Sequence, residues 1–223
     1  MGLSIAFAVG LYGVSFGALA VASGLSLLQA QALSALMFTG GSQFGFIGVI
    51  GAGGSPLLAA GSAALLGVRN GVYGIQLNAA LRPAGWLRPV QAHLTIDEST
   101  ATAMAQATPA EQRRGFWAAG LGVFVFWNLF TLLGALLGDA IGDPTRWGLD
   151  GAAVAGFLGL LWPRLAEPAG RVVAATCAAV TLAATPWLAP GLPIILAGVA
   201  AVVIALATDR LRRGDEGTGG RSR

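Results

Sequence analysis

The chain has 223 residues, 55% of them hydrophobic and 10% charged, and a mean hydropathy of +0.72, where a soluble domain carries about 25% charge. That balance excludes a soluble globular domain and indicates an all-α membrane protein, because apolar stretches of about 20 residues, enough to cross the hydrocarbon layer, recur along the whole length. One cysteine (Cys177) and one histidine (His93) exclude a disulfide framework and a thiolate or multi-histidine metal site, and the net charge of +3 rests on arginines placed for topology rather than for a nucleic-acid partner.

Seven spans are predicted, near residues 3–22, 29–52, 57–81, 115–138, 147–163, 170–187 and 191–208, within a single transmembrane domain over 1–208. Gly/Pro-rich joints separate them, including Gly53-Gly54-Ser55-Pro56, Gly142-Asp143-Pro144 and Ala189-Pro190-Gly191. The segments after spans three, five and seven hold Arg82, Arg88, Arg113 and Arg114, then Arg164 and Arg171, then Arg210, Arg212, Arg213, Arg221 and Arg223. Eleven of thirteen arginines thus fall on one side, which the positive-inside rule makes cytoplasmic. With seven crossings the N-terminus is outside and the C-terminus inside. Span one starts directly after Met1-Gly2 with no basic region before it, unlike a cleavable signal peptide; Ala6 also fails the myristoylation pattern.

Glycines spaced four apart, Gly13/Gly17, Gly41/Gly45, Gly67/Gly71 and Gly134/Gly138, suit close helix packing in lipid. Span two contains Met37-Phe38-Thr39-Gly40-Gly41-Ser42-Gln43-Phe44-Gly45-Phe46, turn-forming in its middle. Such residues are tolerated within hydrocarbon only where protein or water surrounds them, so a break is expected at Thr39-Gly40-Gly41-Ser42. The second half-helix, from Ser42 or Gln43, would then offer amides and positive dipole to a carboxylate, with Gln43 able to donate and accept. An unbroken helix using these glycines for packing is the competing reading.

Arg69 lies midway through span three beside Asn70, on a stripe with Tyr73 and Gln76 expected to face the interior. A central arginine costs roughly 2.5–3.5 kcal/mol on insertion scales; it either pairs with an acid or receives a substrate anion. Residues 83–114 read as a cytoplasmic loop with a short helix on its surface, and Asp97-Glu98 there either cap and salt-bridge or serve gating and proton coupling. Thr108-Pro109-Ala110-Glu111 signals a helix start. Asn128, in span four, suits helix–helix adhesion or a ligand contact, and Asp150, near the start of span five, a helix start or a gate. The tail 209–223 reads as flexible. Phe16 to Gln43 and Phe130 to Phe157 both span 27 positions; spans one to three and four to six, in opposite orientation, would then form an inverted repeat of the kind found in secondary transporters.

Taken together, Phe16-Gly17, Thr39 to Phe44, Arg69 to Gly74, Thr95-Ile96-Asp97-Glu98, Trp127 to Gly134 and Gly148-Leu149-Asp150 resemble the AzlC/YgaZ family of bacterial branched-chain amino acid exporters over roughly residues 12–160. Ser15 stands where that family's pattern has proline. The resemblance implies a secondary transporter of the bacterial cytoplasmic membrane that exports leucine, isoleucine, valine or similar small amino acids. It also implies a small hydrophobic AzlD-type partner subunit and no cofactor. On that reading Thr39, Gly40, Gly41, Ser42, Gln43, Arg69, Asn70, Tyr73 and Asn128 bind substrate, and Asp97, Glu98 and Asp150 gate or couple to protons. A non-transporting membrane scaffold or regulatory subunit is the alternative.

Overall fold

In the computed structural model, which describes residues 2–141, 146, 148, 151, 154–155, 158–159 and 161–219, all regular structure among those residues is helical. The chain divides into two compact units, Met1–Phe157 and Leu158–Arg223. The first holds α1 (Gly2–Gly10), α2 (Tyr12–Ala22), α3 (Leu27–Leu36), α4 (Gly40–Gly51), α5 (Pro56–Leu81), α6 (Leu87–His93), α7 (Asp97–Met104) and α8 (Pro109–Ile141). The second holds a 3-10 turn at Trp162–Ala166, α9 (Pro168–Ala184) and α10 (Leu192–Gly219).

Local chemistry sets several helix starts. Ser26 and Gln29 form a reciprocal capping box before α3. Ser55 caps α5 ahead of Pro56. Thr108 and Glu111 cap α8 across Pro109, where the sequence predicts a start.

The first unit is framed by α1–α2 lying along α8. A Cβ on Gly17 would strike the Thr131 carbonyl, and one on Gly134 would strike the Val14 carbonyl; the seam continues from Gly2 at Ala118 through Gly10 at Phe126 to Gly138 at Ala18. The glycines bring the two backbones into direct contact. Residue numbers rise together along this seam, so α1–α2 and α8 run parallel. An inverted repeat pairing spans one and four requires them antiparallel, so that expectation is corrected.

Span two folds back on itself. From Ser23 the chain enters α3, turns at Met37–Thr39, and returns along α4 beside α2: the Phe44 ring lies edge-on to Phe16 at 5.7 Å, and a Cβ on Gly51 would come 2.8 Å from Ser23 Oγ. It leaves and re-enters at the same end of α2, forming a helical hairpin. The segment 83–114, expected as a surface loop, forms a second one. Its tip, Leu94-Thr95-Ile96, is buried, with Leu94 and Ser99 against Gly120 and Thr102 against Gly115, so α7 runs back antiparallel to α8. This hairpin enters from the end where α8 begins, opposite to the first.

Two stretches of described helix, Gly2–Ala22 and Pro109–Gly138, are both long and apolar enough to cross a membrane. α5, at 26 residues, has a length of about 39 Å but carries Arg69, Asn70 and Gln76 along its middle. Span two is thus two helices of 10 and 12 residues rather than one, and span five is only partly described. In the second unit, Cys177 Sγ lies 3.3 Å from the Ala197 carbonyl, joining α9 to α10, and α10 runs to Gly219.

If the seam frames the unit, Gly134→Ala will force α2 and α8 apart and lower stability by about 1–3 kcal/mol. Gly74→Ala, whose Cβ meets nothing within 4 Å, will leave it unchanged. Thermal unfolding of the purified variants in detergent checks the contrast.

Candidate functional site

The two hairpins meet tip to tip. Phe38, at the turn of the first, packs on His93, at the turn of the second, with ring centroids 5.9 Å apart, and both rest on Phe124 of α8 at 5.1 and 5.7 Å. Buried polar groups gather around this junction.

In the first hairpin Met37 and Thr39 leave helical geometry (φ −102°, ψ 59°; φ −148°, ψ 90°). The expected break is thus present, but at 37–39: α4 begins at Gly40, so Gly40-Gly41-Ser42 is its first turn rather than the gap. The Ser42 and Gln43 amides bond the Thr39 carbonyl at 2.8 and 3.2 Å. Thr39 makes no side-chain cap, and the Gly40 and Gly41 amides, at the positive end of α4, have no acceptor within the helix. Trp127 covers this turn: a Cβ on Gly40 would lie 3.3 Å from its ring, which is fixed by stacking on Phe16 at 6.2 Å and by the edge of Phe44 at 6.4 Å.

Gln43 is fully buried, and its Nε2 donates to the carbonyls of Leu33 and Ser34, both at 3.2 Å. The opposite amide orientation would set Oε1 against two carbonyls, so chemistry fixes the assignment. Gln43 therefore satisfies the end of α3. Its N–H groups are not free for a carboxylate as expected; only Oε1 remains.

At the second hairpin Asn70 Nδ2 donates to the Thr95 carbonyl at 3.0 Å, and Arg69 Nη1 pairs with Asp97 Oδ2 at 3.0 Å, the two side chains being 33% and 21% exposed. Of the two readings of Arg69, the ion pair is the one the structure displays, and it ties α5 to the start of α7. Glu98, next along in the eight-residue α7, has its carboxyl raised from the usual value, mainly by burial and also by Asp97, against lowering by a backbone hydrogen bond and by Arg69.

Several buried polar atoms around the junction have no hydrogen-bond partner among the described residues: Thr39 Oγ1, Ser42 Oγ, Gln43 Oε1, Arg69 Nε, Asn70 Oδ1, Thr100 Oγ1 and Trp127 Nε1. Each costs about 1–3 kcal/mol when left unmade, and such groups gather where a fold is built to receive something. The site so defined combines donors and acceptors within one interior.

Other expected residues fall elsewhere. Tyr73 is half-buried and Gln76 exposed, so the Arg69–Tyr73–Gln76 stripe does not face the interior as a whole. Asn128 donates to Phe124 O at 2.8 Å and accepts from Gln31, a bond that joins α8 to α3. Asp150 lies outside the described residues. Trp127 and Thr100, which the sequence reading did not single out, also hold unpartnered polar atoms; Trp127 lies in an apolar run that hydropathy reads as core, and Thr100 in a polar run that it reads as surface.

Fold and site define an all-helical membrane protein with a polar centre between opposed hairpins. A family model described as AzlC protein matches residues 4–141. The chain belongs to the AzlC family, a family associated with branched-chain amino acid transport rather than with enzymatic activity. No curated protein and no solved structure matches it.

Gln43→Glu replaces two donors with an acceptor facing two carbonyls. The expected loss of stability is about 1–3 kcal/mol, read as a lower unfolding temperature in detergent; an unchanged temperature would show that the amide does not close the end of α3.

Proposed function

We propose that the protein is a secondary transporter exporting branched-chain or similar small apolar amino acids across the bacterial cytoplasmic membrane, working with a small hydrophobic AzlD-type subunit and driven by an ion gradient. The observation that carries this reading is the set of unpartnered buried polar atoms where the two hairpins meet. A zwitterion needs donors and acceptors held in an otherwise apolar interior, and a scaffold or regulatory subunit has no use for them.

The substrate carboxylate goes to the Gly40 and Gly41 amides at the start of α4, with Trp127 Nε1 and the free edge of Arg69 as further donors. Thr39 and Ser42 supply hydroxyls, and Tyr73 contributes a wall along α5. Arg69, Asp97 and Glu98 couple site occupancy to the position of the second hairpin, since Asp97 and the substrate compete for one guanidinium. Discontinuous helices at a central site are the general design of alternating-access carriers.

Orientation follows from the parallel seam. Gly2 lies at the end of α8 that carries Arg113 and Arg114, so the positive-inside rule favours a cytoplasmic N-terminus, opposite to what seven crossings implied. The arginines after α10 favour a cytoplasmic C-terminus as before.

Proteoliposomes holding the two-subunit complex and preloaded with labelled leucine should show gradient-dependent efflux, abolished by Arg69→Ala with insertion intact; efflux equal to that of empty liposomes would sink the proposal. A raised Glu98 carboxyl binds its proton at higher pH than an ordinary glutamate, so Glu98→Gln, fixed in the neutral form, should flatten the acidic limb of the efflux–pH profile. An unaltered profile would remove Glu98 from coupling.

A further inference from the structure

The unpartnered atoms are not a random mixture. Gln43 and Asn70 share one arrangement: each spends its NH2 on backbone carbonyls at a hairpin, Leu33 and Ser34 in the first case and Thr95 in the second, and each leaves its carbonyl oxygen buried without a partner among the described residues. An amide oxygen only accepts. Ser42 Oγ, beside Gln43, lies 3.4 Å from where a Gly67 Cβ would be, and Asn70 is one turn further along the same face of α5. Ser42, which faces α5 there, is thus the link between the two residues: it neighbours Gln43 on α4, lies a turn from Asn70 on α5, and its hydroxyl can accept as well.

We infer that Gln43 Oε1 and Asn70 Oδ1 read the substrate's ammonium group and make the site selective for a free primary amine. This rests on the transport reading above and fixes the substrate's orientation within it: ammonium toward the α4–α5 seam, carboxylate toward the first turn of α4. A primary ammonium carries three N–H donors and no acceptor, the complement of two amide oxygens and a hydroxyl. A hydroxyl in its place offers one donor and leaves two acceptors buried and unmade. The two amides are specificity residues as well as hairpin supports, because the same side chains whose NH2 groups close the backbone present their oxygens to the ligand.

The test uses the complete two-subunit complex in proteoliposomes and two probes, leucine and its hydroxy acid analogue, in which a hydroxyl replaces the ammonium. Wild-type efflux of leucine is expected to exceed that of the hydroxy acid by at least about tenfold. Asn70→Leu, which removes both the donor and the oxygen, should bring the two rates together by lowering leucine efflux alone. Asn70→Asp, which keeps an acceptor while losing the bond to Thr95, should retain the preference. Asn70→Ala, which also removes the acceptor, carries the first comparison if the leucine variant does not insert. Equal wild-type rates for the two probes, a preference that survives Asn70→Leu or Asn70→Ala, or an equal fall for both probes in those variants overturns the inference and leaves the transporter standing. Absence of efflux for both probes in the wild type removes the transporter and the inference together.

Discussion

A helical hairpin that turns back within an apolar layer exposes the last carbonyls of one helix and the first amides of the next, where no water can serve them. Everything at the centre of this protein follows from how those groups are satisfied. At the first turn Gln43 supplies two donors to the end of α3. At the second, Asn70 reaches across from α5 to the Thr95 carbonyl, while Ser99 donates to Leu94 O and accepts from the Ile96 amide. Carbonyl ends are closed by side chains; the amide end of α4 is left open, because Thr39, a residue type suited to cap it, does not. On the proposed reading, one end closed and one open lets the break receive negative charge.

The hairpins can occupy the interior because α1–α2 and α8 take so little of it. Gly13 and Gly17 on one side and Gly134 and Gly138 on the other bring those backbones together, and the remaining faces of α8 are free for α3, α7 and the Phe38–His93–Phe124 cluster. Aromatic packing then sets the depth of each tip: Phe16, Phe44 and Trp127 hold the start of α4, and Phe124 carries both turns. The rigid seam is a frame, and the hairpins are the parts with ends to satisfy.

Much of this was legible in the sequence, but not how the pieces are arranged. The break in 29–52 announces itself through Thr-Gly-Gly-Ser within apolar residues, and Ser55-Pro56 and Thr108-Pro109-Ala110-Glu111 mark helix starts because capping is local chemistry. Hydropathy measures apolar length, however, and α3 plus α4 has the length of one crossing whether the chain passes through or folds back. The second hairpin failed for the converse reason: Thr95, Asp97, Glu98, Ser99 and Thr100 read as surface, yet Thr95, Ser99 and Thr100 are buried; the Thr95 and Ser99 hydroxyls donate to the Gln91 and Leu94 carbonyls within the turn, and Thr100 Oγ1 has no partner among the described residues. Reading 29–52 as a hairpin removes one crossing and so reverses the parity of the count, on which the proposed side of the N-terminus depends; the hairpin in 83–114, read as a loop, leaves the count unchanged. Gln43 was expected to offer its amide to a carboxylate, and its N–H groups are instead spent on the Leu33 and Ser34 carbonyls, since nothing in a sequence states which end of an amide is already engaged.

The Arg69–Asp97 pair bears on how such a centre would move. Arg69 Nη1 is engaged at 3.0 Å, while Nε stays buried without a partner among the described residues, so the pair is a connection with donor capacity in reserve. A guanidinium offers five N–H groups in a fixed fork, and a second carboxylate arriving on the unused edge needs no prior rupture of the first pair. On the proposed reading, substrate entry would draw Arg69 between its own carboxylate and Asp97, weakening the tie between α5 and α7 without leaving a bare charge in the interior. Losing Asp97 with no replacement would instead strand a buried cation, a cost of about 3–5 kcal/mol for broken buried pairs that partial exposure reduces here. Exchange of partners is the lower path, and it makes the second hairpin, held by Arg69 and Asn70, the element whose position depends on whether the site is filled.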